Sequence, residues 1–89
     1  MATLLNPPQM TIRVLLFAQY SEIAGIGELS LDLPDSSTVA GVVEALRARP
    51  GMEGLPIRPA VALNRTVVGL DVQVHEGDEV ALLPPVAGG

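Results

Sequence analysis

The 89-residue sequence contains no cysteine, no lysine and no tryptophan, and has one histidine, one phenylalanine and one tyrosine. Without cysteine there are no disulfides, no thiolate metal sites and no side chain on which a persulfide could ride. A lone His75 builds neither a metal centre nor a Ser-His pair. No apolar run approaches the roughly 20 residues of a membrane-spanning helix. Two aromatics, Phe17 and Tyr20, and a net charge of −5 argue against nucleic acid as a partner. The basic residues are all arginine: Arg13, Arg47, Arg49, Arg58 and Arg65. No side chain can therefore accept an isopeptide bond, which counts against a tag that polymerises on itself.

What is present is concentrated at one end. The chain closes on Pro84-Pro85-Val86-Ala87-Gly88-Gly89. Two consecutive prolines fix φ and remove two backbone donors, so a strand reaching them must stop. They also favour an extended path that carries the following residues off the body of the domain. Gly88 and Gly89 have no side chains and fit a channel too narrow for other residues. Such a tail suits a protein whose reactive group is its own C-terminal carboxylate.

The rest reads as one domain, just long enough for a single core. Residues 1–9, with Asn6-Pro7-Pro8, read as an irregular arm. The arm lacks a basic start and a long apolar segment, so no signal peptide is expected, and Met10 offers an alternative start. Residues 10–83 form the expected domain and 84–89 the tail.

Thr11 to Ala18 reads as a first strand, Gln19 to Gly27 as a connection and Glu28 to Leu33 as a second strand. Val39, Val42, Val43 and Leu46 recur at i, i+3, i+4 and i+7, the stripe of an amphipathic helix capped by Ser37 or Thr38 and stopped at Pro50-Gly51. Ala60 to Leu63 and Thr66 to Val68 flank Asn64-Arg65 as short strands, Leu70 to Val74 is ambiguous, and Glu79 to Leu83 is the last strand. The expected order is β-β-α-β-β-β.

A single helix covers only one face of a sheet. Strand alternation sets Ile12, Val14 and Leu16 on one face and Arg13, Leu15 and Phe17 on the other. Val80 and Leu82 share a face, with Leu83 opposite. Leu15, Phe17 and Leu83 are thus expected on an uncovered, partner-binding face beside the tail. The competing expectation is a strand buried on both faces by long loops.

Three segments in register give the chain a resemblance over residues 11–89. They are Gly77-Asp78-Glu79-Val80-Ala81-Leu82-Leu83 running into the tail, Phe17-Ala18-Gln19-Tyr20-Ser21-Glu22-Ile23-Ala24-Gly25, and Ala60-Val61-Ala62-Leu63-Asn64. The helix opening Ser37-Thr38-Val39 agrees with them. The chain resembles the small subunits of molybdopterin synthase, members of the ubiquitin-like MoaD/ThiS sulfur-carrier family. The fold this implies is the α+β β-grasp (ubiquitin-like): a mixed sheet of about five strands with one main helix on one face. The family's helices often carry an acidic residue where Gly41 stands, and its hairpins a smaller or polar residue where Arg65 stands.

The resemblance also implies a function. Gly89 would be adenylated, converted to a thiocarboxylate, and used to deliver sulfur to a cyclic pyranopterin precursor in molybdenum cofactor synthesis. Pro84, Pro85, Val86, Ala87 and Gly88 would occupy the partner's channel. The implied partners are the synthase large subunit, in a heterotetramer, an E1-like adenylating enzyme that uses ATP, and an external sulfur donor. This chain would hold no tight cofactor, metal or catalytic set of its own and would work in the cytoplasm, away from nucleic acid and membrane. A carrier for thiamine thiazole or cysteine synthesis, and a ubiquitin-like protein modifier, remain as alternatives.

Overall fold

The structure is a computed structural model and describes residues 9–85. Its elements are β1 (Gln9–Leu16), α1 (Ala18–Ala24), β2 (Glu28–Pro34), α2 (Val39–Arg47), β3 (Ala60–Leu63), β4 (Thr66–Val68) and β5 (Glu79–Leu83). The five strands form one sheet in the order β2-β1-β5-β3-β4. β1 runs parallel to β5, and the other pairs are antiparallel. This mixed sheet with one long helix on one face is the expected β-grasp arrangement.

α2 supplies the cover. Its expected stripe of Val39, Val42, Val43 and Leu46 is fully buried. At about 1.5–3 kcal/mol for each large aliphatic side chain removed from water, this stripe holds the helix to the sheet. Ile12, Val14 and Leu16 of β1, Leu31 and Leu33 of β2, Val61 of β3, and Val80 and Leu82 of β5 meet it in one core cluster.

The first amides of a helix lack intrahelical partners. Here Thr38 Oγ1 accepts from Gly41 N–H at 3.3 Å, and the Val72 and Leu70 carbonyls accept from Val39 and Ala40, each at 2.9 Å. The ambiguous Leu70 to Val74 segment is thereby accounted for. It forms only a bridge between Gln73 and Thr38, and its backbone serves α2 instead of a strand.

Three expectations need correction. The presumed connection Gln19 to Gly27 contains a second helix, α1, which turns Tyr20 into the core and ends on Gly25 with φ 75°. The order is therefore β-α-β-α-β-β-β. The first strand begins at Gln9, which pairs with Pro34, and ends at Leu16, because α1 starts where the strand was expected to continue. The main helix ends at Arg47 with Ala48 as its C-cap, before Pro50 is reached. Among the described residues, no helix is long and apolar enough to cross a membrane.

Candidate functional site

The face of the sheet opposite α2 carries the candidate site. Its central row runs across four strands: Leu15 opposite Ala81, Ala81 opposite Ala62, and Ala62 opposite Val67. Ala62 and Ala81 are buried yet stand outside the core cluster, because their side chains point away from α2. Val67 is 68 % exposed. The next row, nearer the C-terminal end of β5, brings Leu83 opposite Ala60. Phe17, 46 % exposed, follows β1 at the same end, and continuing the β1–β2 register sets Ile26, 47 % exposed, beside it.

The expected trio Leu15, Phe17 and Leu83 thus lies together on the uncovered side. Leu15 and Leu83 are half-buried, and Phe17 lies just beyond β1 as the N-cap of α1. Four further apolar members, Ala62, Ala81, Val67 and Ile26, were not anticipated from the sequence. The cross-strand partners of Leu15 become visible only once the strand order is known. Ile26 precedes its strand and escapes any alternation count.

The opposite half of the same face is charged. Arg13 lies directly across from Glu79, with Nη2 at 2.7 Å from Oε1, and its Nε is 3.5 Å from Glu28. The hydrogen bond to Glu79, then the charge of Glu28, raise the Arg13 guanidinium above its usual range. Thr11 Oγ1 donates to Asp32 at 2.7 Å farther along. The face therefore changes from ionic to apolar toward the end where β5 finishes. There Pro84 is half-buried and Pro85 exposed. Val86, Ala87, Gly88 and Gly89 lie outside the described residues.

Among the described residues, no group of three His, Cys, Asp or Glu side chains could hold a metal ion. What the arrangement offers is a contact surface converging on the last residues of β5. An apolar patch rimmed by polar groups marks a protein–protein site.

Known proteins give this geometry a context. The model of the ThiS family matches residues 14–89. The chain is 36 % identical over 81 residues to the molybdopterin synthase sulfur carrier subunit of Haemophilus influenzae, covering 88 % of this chain and 99 % of that protein. Among solved structures it is similar to small archaeal modifier protein 1 of Haloferax volcanii, with a TM-score of 0.76 and 30 % identity, over 86 % of this chain and 99 % of that one. It is also similar to a chain from the complex of subunits 1 and 2 of the molybdopterin-converting factor of Helicobacter pylori. That match has a TM-score of 0.65 and 25 % identity, over 90 % of this chain and 100 % of that one.

Proposed function

Because the chain belongs to the ThiS family, we propose that it is the sulfur carrier of molybdopterin synthesis, with Gly89 as its reactive residue. The observation that carries this reading is the apolar face on which exposed Phe17 and Val67 and half-buried Leu15 and Leu83 surround Ala81 and Ala62, and which ends where β5 passes into Pro84. A partner seated on that face is in place to receive the tail.

The chemistry follows from the carboxylate. With a reference pKa of about 3.5, it is ionised at neutral pH and is a poor electrophile. Its oxygen attacks the α-phosphorus of ATP on an adenylating enzyme, forming an acyl-adenylate and releasing pyrophosphate. Hydrosulfide then attacks the acyl carbon, AMP leaves as the acyl C–O bond breaks, and loss of the S–H proton gives a thiocarboxylate on Gly89. The sulfur comes from a separate donor, since this chain has no cysteine. The charged tail next enters a synthase large subunit, which supplies the acid-base groups while sulfur passes to the pterin precursor. The complex of subunits 1 and 2 in the similar Helicobacter pylori structure supports such a partner.

Intact-mass measurement on chain purified from its native cells tests the reading directly. A population carrying a terminal thiocarboxylate is expected, together with co-purification of one pterin-binding subunit. A chain found only as unmodified carboxylate, even when adenylating enzyme and sulfur donor are supplied, would remove the basis for the proposal.

The similarity to small archaeal modifier protein 1 favours a second reading, attachment of Gly89 to amines on other proteins. The lysine-free sequence counts against polymers in that role, because one attached copy offers no side-chain amine to the next. Finding the chain joined covalently to many cellular proteins would favour this reading over the first.

A further inference from the structure

Two consecutive prolines, Pro84 and Pro85, follow directly on the last residue of β5. β5 is a central strand, with β1 on one side and β3 on the other. Along such a strand, successive backbone N–H groups face the two neighbours in turn.

Three bonds fix the phase. Arg13 N–H donates to the Asp78 carbonyl at 2.9 Å, which turns the even-numbered residues of this segment toward β1. Asn64 N–H donates to the Glu79 carbonyl at 2.8 Å, and Glu79 N–H donates to Asn64 Oδ1 at 3.0 Å. Odd-numbered residues therefore face β3. Carried past Leu83, this phase would aim an N–H at position 84 toward β1 and one at position 85 toward β3. Proline supplies neither donor.

We propose that Pro84 and Pro85 are positioning residues with divided roles: Pro84 closes the ladder to β1, and Pro85 closes the ladder to β3. Together they keep the Gly-Gly end for a partner's channel instead of letting it anneal to the carrier's own sheet. The delivery part of this role rests on the sulfur-carrier reading; the ladder assignment does not.

The two sides are guarded unequally. On the β1 side, the acceptor for an N–H at position 84 would be the Phe17 carbonyl. That oxygen already accepts Tyr20 N–H at 2.9 Å and Ser21 N–H at 3.4 Å from the first turn of α1. On the β3 side, the pairing of Ala60 with Leu83 makes Arg58 the acceptor for position 85. Arg58 lies in the bend that leads into β3, and because it precedes Pro59 its own backbone favours the extended region that a ladder needs. Pro59 gives no protection, because it falls opposite Pro84, where the nitrogens of the pair point away from each other. Pro85 is the stop on which the β3 side depends.

Pro84→Val and Pro85→Val test this, read by amide hydrogen exchange and by ATP–pyrophosphate exchange with the adenylating enzyme. Pro85→Val is expected to gain a slowly exchanging amide at position 85 with cross-strand contacts to Arg58, and to unfold at an unchanged or higher temperature. Its KM as substrate should rise about three- to tenfold, the range set by one added backbone hydrogen bond. Its kcat should hold, since a paired tail lowers only the fraction of chain competent to bind. Pro84→Val should change KM by less than about twofold, because its new donor competes with α1 for Phe17. An unprotected amide at position 85, contacts from it to β1, or an unchanged KM would overturn the proposal. A wild-type chain that the adenylating enzyme refuses would instead sink the carrier reading and the delivery role, while the amide measurement still decides the ladder assignment.

Discussion

Asn64 and Glu79 are bonded to each other twice: the Asn64 amide donates to the Glu79 carbonyl at 2.8 Å, and Asn64 Oδ1 accepts the Glu79 amide at 3.0 Å. Asn64 Nδ2 also donates to Asp78 Oδ1 at 3.0 Å. One side chain in the β3–β4 turn therefore anchors the start of β5, the strand that runs into Pro84 and Pro85. Asn64→Ala removes both side-chain bonds and places alanine at φ 51°. A loss of about 1–3 kcal/mol is expected, to be read by denaturant unfolding.

The neighbouring position should respond with the opposite sign. Asn64 and Arg65 form a two-residue hairpin loop with φ 51° and 73°, a combination that favours asparagine followed by glycine. Arg65→Gly relieves the side-chain strain at a position that glycine occupies freely. A gain of about 0.5–1 kcal/mol is expected in the same unfolding measurement.

Gly41 offers another stabilising change. It lies in the first turn of α2, and a Cβ there would meet Ser37 Cβ at 3.7 Å and Thr38 Oγ1 at 3.9 Å, which are ordinary contact distances. Gly41→Ala should raise stability by about 0.5–1 kcal/mol. A lower unfolding midpoint would show that the added methyl disturbs the Thr38 cap.

The two sheet faces can be separated by paired measurements. Phe17→Ala and Leu83→Ala are expected to weaken binding to a synthase large subunit by about thirtyfold, the equivalent of a 2 kcal/mol anchor. Both should have little effect on the isolated domain. Val14→Ala and Leu82→Ala, in fully buried positions, should destabilise by about 1–5 kcal/mol. Calorimetric binding and denaturant unfolding on all four variants check the division. A Phe17→Ala domain as unstable as Leu82→Ala would contradict it.

For the tail, deletion of Gly89 is expected to abolish sulfur acceptance while leaving thermal unfolding unchanged. Among the described residues, Leu82 is the last member of the core cluster. Gly88→Val should block ATP–pyrophosphate exchange, because a β-branched side chain does not fit a channel shaped for glycine. Normal pterin sulfuration by the Gly89 deletion would refute the carrier mechanism.

The sequence made α2 and the strands β3, β4 and β5 legible because strong local signals bound them. The Val39–Leu46 stripe repeats over two turns, and Asn64-Arg65 and Glu76-Gly77-Asp78 punctuate the strands. α1 was not legible. Its seven residues place only Tyr20, Ile23 and Ala24 at helical spacing, and its N-cap, Phe17, makes no side-chain hydrogen bond. Leu70, Val72 and Val74 alternate like a strand, yet the Leu70 and Val72 carbonyls satisfy the amides of α2, an arrangement that tertiary structure alone decides. Leu15, Phe17 and Leu83 could be assigned to one face by alternation, whereas Ala62 and Val67 depended on knowing that β3 lies beside β5.

α2 occupies one side of the sheet, and the apolar ground on the other side lies beside the end of β5, where the described residues finish at Pro85. In the proposed cycle, the adenylating enzyme and the synthase therefore compete for the same ground and must take turns. The carrier has to leave one before it meets the other, so its residence time on each enters the throughput of the whole cycle. Affinity differences among related complexes lie mainly in the dissociation rate. A carrier that bound either enzyme too tightly would deliver sulfur more slowly, and that sets a ceiling on how large and apolar this face can become.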